Sequence, residues 1–212
     1  MNITSWNVNS LNVRLPHVLQ YLQETAPDIL GLQELKQTDA AIDRTALAAA
    51  GYHLESHGQK TYNGVALLAR EALTDVVRGI PGYADEQARA IAANVGDVRV
   101  LNLYVPNGKA VGDEKYTYKL HWLDAVTRYI DDLKREHPKL VIIGDYNIAP
   151  ADRDVHDPDK WRDQILCSAP ERAALQNILA LGFKDAYRTL HPDTQQFSWW
   201  DYRMGGLRRN IG

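Results

Sequence analysis

Four apolar runs in this 212-residue chain each stop at amides, carboxylates or a phenol, and that repetition restricts the fold more than any other feature. Ile3 to Trp6 leads into Asn7 and Asn9, and Ile29 to Leu32 leads into Gln33 and Glu34. Leu101 to Leu103 leads into Tyr104 and then Val105-Pro106-Asn107, while Leu140 to Ile143 leads into Gly144-Asp145-Tyr146-Asn147. Short apolar runs with turn-forming residues behind them read as buried strands. Six such strands are expected, over 3–8, 28–33, 65–69, 88–95, 98–105 and 140–143. In the run 98–105 both alternating residue sets are largely apolar, so that strand is expected to be covered on both sides.

Helical periodicity separates the strands. Leu15, Val18, Leu19 and Leu22 form one stripe, and Leu123, Val126, Ile130 and Leu133 form another in a helix expected from about 114 to 135, before Pro138. Ser168 and Glu171 make a capping-box pattern for a third helix, with Leu175, Ile178 and Leu179 as its stripe and Gly182 at its end. The Gly96-Asp97 pair is expected to turn tightly between two adjacent strands. Interleaved strands, helices and hairpins imply an α/β protein with mixed sheets. Neither a repeat nor a linker interrupts the chain, so a single domain over 1–212 is expected.

Composition narrows the function classes. A net charge of −3 argues against a protein that coats nucleic acid by bulk charge, although Arg203, Arg208 and Arg209 cluster late in the chain. That cluster reads equally as a solvated tail. No apolar run is long enough to span a bilayer, and the N-terminus lacks signal-peptide character. A lone cysteine, Cys167, forms no internal disulfide, which suits a reducing compartment and a cytoplasmic protein.

If the four strand ends meet at one edge, they supply the oxygen ligands that a hard cation such as Mg²⁺ takes. Glu34 is the best single ligand candidate. Asp145 and Asn147, two apart, point to one side of an extended segment, where a carboxylate can take a proton from water and an amide can steady a phosphate oxygen. Singly, each residue has an ordinary structural role: Asn7 and Asn147 in turns, Asp145 as a cap, Glu34 as a solvated charge, Tyr104 in packing. Their joint occurrence at four strand ends favours a site.

The segments SWNVNSL, LQELK, GVALL, LYVPN, GDYNIAP and FSWWDYR, in this order, resemble the exonuclease III/AP endonuclease family of the endonuclease–exonuclease–phosphatase superfamily. FSWWDYR (197–203) and HGQKTYNGVALL (57–68) resemble its DNA repair branch specifically. The resemblance implies a four-layer α/β-sandwich of two packed mixed sheets. It also implies Glu34 as principal ligand of Mg²⁺, with Mn²⁺ as an alternative, and Asn7, Asp145 and Asn147 around the metal. Asp145 would position or activate water, Asn147 would contact phosphate, and Tyr104 would hydrogen-bond the phosphate as donor or as phenolate. Trp199 and Phe197 would line a pocket for a flipped-out abasic sugar, with Arg203 on the DNA. Those aromatics would otherwise read as core packing.

The implied reaction is hydrolysis 5′ to abasic sites in duplex DNA, removal of 3′-terminal nucleotides, or both, by a monomer. The family pattern continues past Gly212 with an aspartate-bearing strand and a Ser-Asp-His strand, and Ile211 stands where relatives carry arginine. The last strands are therefore expected to be missing, with hydrolysis by the 212-residue chain severely reduced. A superfamily phosphatase acting on a small phosphorylated substrate, and a non-cleaving abasic-DNA-binding remnant, are the competing expectations.

Overall fold

Strands β1 (Ile3–Asn7), β2 (Ile29–Gln33), β3 (His53–His57) and β4 (Val65–Ala69) form one four-stranded mixed sheet in the order β1-β2-β4-β3. Strands β5 (Leu73–Arg78), β6 (Ala90–Val95), β7 (Val98–Tyr104) and β8 (Leu140–Asp145) form a second, in sequence order. The computed structural model describes residues 1–201 and 205–212. The chain folds into two compact units, one of residues 1–105 and 128–146, the other of 106–127 and 147–212.

The first unit holds both sheets. Its packing explains why the central strands β2 and β4 are apolar on both faces. Ile29, Val65, Leu67 and Ala69 of the first sheet meet Ile91, Ala93, Val95 and Val100 of the second. The alternate residues Leu30, Leu32, Ala66 and Leu68 point the other way. They pack on Leu11, Val18 and Leu22 of helix α1 (Leu11–Thr25) and on Leu47 of α2 (Arg44–Ala49). Each fully buried Leu there contributes roughly 1.5–3 kcal/mol. The 3.6-residue stripe read in α1 is thus the face that covers the first sheet.

A buried polar link crosses the intersheet layer. Gln33 Nε2 donates to Asn102 Oδ1 (2.7 Å) and to Ser5 Oγ (3.1 Å), and Asn102 Nδ2 donates to the Leu32 (2.9 Å) and Ala66 (2.8 Å) carbonyls. Such a network penalises any slip that would leave these groups unpaired in an apolar layer. It ties the end of β2 to the middle of β7, one residue before Glu34 and two before Tyr104.

Helix α3 (Glu114–Glu136) begins in the second unit and ends in the first, and its stripe residues Leu123, Val126, Ile130 and Leu133 are all buried. The second unit also contains the short helices α4 (Pro158–Trp161), α6 (Ala186–Leu190) and α7 (Gly206–Arg209), and the longer α5 (Ala169–Ala180). The capping residues expected at α5 are in place, with a twist. Glu171 accepts from Ser168 N (3.1 Å), and the Ser168 hydroxyl donates to the same carboxylate (2.6 Å).

Cys167 lies in this unit, buried beside that cap, and burial foremost pushes its thiol pKa up, with Glu171 adding to the rise and Arg172 opposing it. The thiolate is the reactive form, so a thiol reagent at pH 8 should modify the native protein at least about tenfold more slowly than the denatured chain. Equal rates in the two states would show the burial to be wrong. Among the described residues, no helix is long and apolar enough to cross a membrane.

Candidate active site

Parallel pairing delivers the strand ends two at a time. The β1/β2 register sets Asn7 opposite Gln33, next to Glu34, and the β7/β8 register sets Tyr104 opposite Asp145. In the first unit the two pairs meet through one amide. Asn7 Nδ2 donates to Glu34 Oε1 and to Asp145 Oδ2, both at 2.8 Å, so it holds a carboxylate from each sheet. Asn7 Oδ1 accepts from Asn9 N (3.0 Å), which fixes the amide with its donor end toward the carboxylates. The expectation that these four ends gather is met for Asn7, Glu34, Tyr104 and Asp145.

Glu34 sits in a left-handed backbone conformation, φ +57°, which costs a non-glycine residue about 1–2 kcal/mol. Hydrogen bonds on both sides impose it: Ser10 N donates to Glu34 O (2.8 Å), Leu35 N to Gly64 O (3.1 Å), and Lys36 N to Asn63 O (2.9 Å). The HGQKTYNG loop therefore braces the chain that carries the carboxylate. Backbone strain held in this way belongs typically to sites where a side chain must be aimed.

Lys36 and Arg89 complete the local electrostatics, and the sequence reading assigned neither. Lys36 Nζ lies 3.0 Å from Glu34 Oε2 and also donates to Asn9 Oδ1. The Arg89 guanidinium lies 4.9 Å from the Tyr104 ring centroid and donates to the Tyr104 carbonyl (3.2 Å). A Glu-x-Lys spacing at a strand end is a usable signal for Lys36. Nothing local in the sequence marks Arg89. Burial drives the Tyr104 pKa far above that of an ordinary phenol; the Glu34 charge adds to the shift and Arg89 opposes it. Burial and the Glu34 charge both favour the neutral hydroxyl, the form that can donate a hydrogen bond.

Asn147 belongs to the second unit. It is buried, with φ +48°; its Oδ1 accepts from Asn107 Nδ2 (3.3 Å) and its carbonyl accepts from Lys119 Nζ (2.6 Å). Trp199 is 39% exposed, while Phe197 is half-buried against Gly212. Arg203 lies outside the described residues. His57, read as a surface or loop residue, ends β3 with Nδ1 3.3 Å from the Ala90 carbonyl.

The donor set suits a hard divalent cation. Two carboxylates, those of Glu34 and Asp145, offer oxygen, and magnesium needs only one or two protein carboxylates when water and phosphate complete its shell. A cage of three or more His, Cys, Asp or Glu side chains, which a zinc centre would use, does not occur among the described residues.

Residues 4–212 match the endonuclease/exonuclease/phosphatase family. The exodeoxyribonuclease III of Haemophilus influenzae is 36% identical over 229 residues, spanning all of this chain and 84% of the relative. The chain belongs to this family, in its exonuclease III/AP endonuclease branch. A 3′ phosphatase from Neisseria bound to a product DNA hairpin superposes with a TM-score of 0.98 at 47% identity. A 3′–5′ exonuclease from Neisseria meningitidis does so with 0.98 at 48%. Each covers all of this chain, which spans 83% of theirs. Proteins of this family depend in general on a divalent metal.

Proposed function

We propose that this chain is a magnesium-dependent DNA repair phosphoesterase that hydrolyses phosphate esters at DNA 3′ ends and on the 5′ side of abasic sites. One observation carries the chemistry: a single amide, Asn7, clamps two carboxylates from two sheets beside the half-buried Tyr104 phenol. The choice of DNA rests on the branch to which the chain belongs. The weight on 3′ ends rests on the 47% and 48% identity to a 3′ phosphatase and a 3′–5′ exonuclease.

In this reading Asp145 accepts a proton from the attacking water, and Asn7 keeps its carboxylate aimed. The Tyr104 hydroxyl donates to a non-bridging phosphate oxygen, where negative charge builds up as the water adds in line. Asn147, two residues along the chain from Asp145, gives a further hydrogen bond to phosphate. Glu34 and Asp145, kept in place by Asn7 close to the metal, would hold the magnesium ion, which when bound supplies charge neutralisation at the phosphoryl oxygens. Trp199 and Phe197 would line the space for a terminal or flipped-out sugar, and Arg203 would meet the DNA backbone. The lone cysteine suits a reducing compartment such as the cytoplasm, where the chain would act as a monomer.

The test uses end-labelled duplexes bearing a 3′-phosphate, a 3′-hydroxyl or an internal abasic analogue. With magnesium, 3′-phosphate release and 3′ shortening are expected to be faster than abasic incision. EDTA should stop all three, and added magnesium should restore them. Turnover of a soluble inositol phosphate with DNA left intact would replace this reading by the small-substrate phosphatase. Binding to abasic duplex without any cut would replace it by a non-cleaving one.

A further inference from the structure

We propose that Lys119, paired with Glu171, is a positioning residue that holds Asn147 in the conformation in which its side-chain amide meets phosphate. Both side chains are fully buried within the second unit. The Lys119 ammonium reaches Glu171 Oε1, the Asn147 carbonyl (2.6 Å) and the Asn107 carbonyl (3.2 Å). Glu171 accepts further from Leu166 N (3.1 Å), Ser168 N (3.1 Å) and Ser168 Oγ (2.6 Å). Because Ser168 Oγ spends its hydrogen on Glu171, Tyr116 OH, 2.7 Å away, is the donor in their contact. One ammonium thus fastens two loop carbonyls to the α5 cap.

Stability alone is a poor reason for this construction. A buried ion pair seldom outperforms an apolar pair of the same volume, because desolvation of both charges opposes their attraction. What the pair does accomplish is local. Asn147 has φ +48°, a left-handed conformation that asparagine tolerates better than most residues but that is uncommon outside glycine, and Lys119 grips the carbonyl of that residue. The same ammonium grips the Asn107 carbonyl, and Asn107 Nδ2 donates to Asn147 Oδ1 (3.3 Å). With Oδ1 turned to Asn107, Nδ2 is the end of the Asn147 amide presented as donor. The proposal rests on the reading that Asn147 contacts phosphate.

The test compares the parent chain with Lys119→Met/Glu171→Gln, which removes both charges yet keeps an acceptor for Ser168 N. Magnesium-supported hydrolysis of a 3′-phosphate duplex is expected to lose about tenfold in kcat or more, with KM moving less than about threefold. Asn147→Ala should cost the double variant much less than it costs the parent, since the two changes disable one device. Amide hydrogen exchange, followed without substrate, should quicken at least about tenfold at 107–109 and 147–149. Ile178→Ala, a buried change in α5, serves as a destabilised comparison that should leave kcat and these amides as in the parent. Unchanged exchange overturns the proposal, as does faster exchange with unchanged kcat, or an Ile178→Ala variant that reproduces both effects. A parent chain with no hydrolysis would refute the proposed function, and exchange would still decide whether Lys119 holds the loops.

Discussion

Asp145→Asn is expected to lower magnesium-supported DNA hydrolysis by about 10³-fold and to leave the melting temperature unchanged or slightly higher. The two outcomes have one cause. Asp145 and Glu34 place two carboxylates on the same Asn7 Nδ2, each at 2.8 Å, so without a cation like charges are crowded, relieved in part by Lys36. An asparagine keeps an oxygen for the Asn7 hydrogen bond and removes one of those charges. The gain is at most about 1 kcal/mol, and about 2–4 °C per kcal/mol is usual for a chain of this size. The same change removes the base that takes the proton from water, an effect of about 10²–10⁴-fold, and weakens hold on a divalent cation. Calorimetry and steady-state rates on the same preparation check both. A loss smaller than tenfold, or a fall of several degrees, would mean that Asp145 is chiefly a structural ligand of Asn7.

How much of this was legible beforehand depends on whether a signal was local. The six expected strands were, because they are short runs rich in apolar residues, most of which end in conspicuous polar groups; the structure moves their ends by no more than two residues. β8 runs on through Asp145, so the site carboxylate is the last strand residue. Strands β3 and β5 were missed for opposite reasons. β3, HLESH, buries Leu54 and Ser56, and the Ser56 hydroxyl is tolerable in the interior because it donates to Asp39 Oδ1 (2.5 Å) and accepts from Arg44 Nη2 (3.2 Å). β5, LTDVVR, loses its alternation at a register shift between Thr74 and Val77, where Asp75 has φ +50°. The site follows the same rule. Asn7, Glu34, Tyr104 and Asp145 could be nominated from their strands, but that one amide would join both carboxylates depends on how two sheets pack, which periodicity does not encode. Lys119 was invisible for a related reason: in sequence it is one lysine in a charged helix, and its role is defined by carbonyls at 107 and 147.

Gly144→Ala should be the most damaging single-methyl change in the first unit. Gly144 has φ +144°, and a Cβ there would lie 2.0 Å from the Leu103 carbonyl oxygen and 2.8 Å from the Leu103 carbonyl carbon and nitrogen. Those are backbone atoms of the paired strand, Leu103 being the register partner of Gly144, so no side chain can swing aside. The strands β7 and β8 must part, and the next pair in the ladder is Tyr104 with Asp145. Overpacking and an unsuitable φ together should destabilise the protein by about 3 kcal/mol or more. Displacing Asp145 by an ångström should cost about 10² in rate beyond whatever fraction unfolds. Gly51→Ala is the matched comparison: φ is +86° but nothing lies within 4 Å of the new methyl, so only the backbone preference, about 1 kcal/mol, is at stake and activity should persist. Urea unfolding of the two variants, with rates measured per folded molecule, separates steric contact from backbone preference. Equal destabilisation by both would show that Gly144 is there for its φ alone and that the close approach of β7 to β8 does not set the position of Asp145.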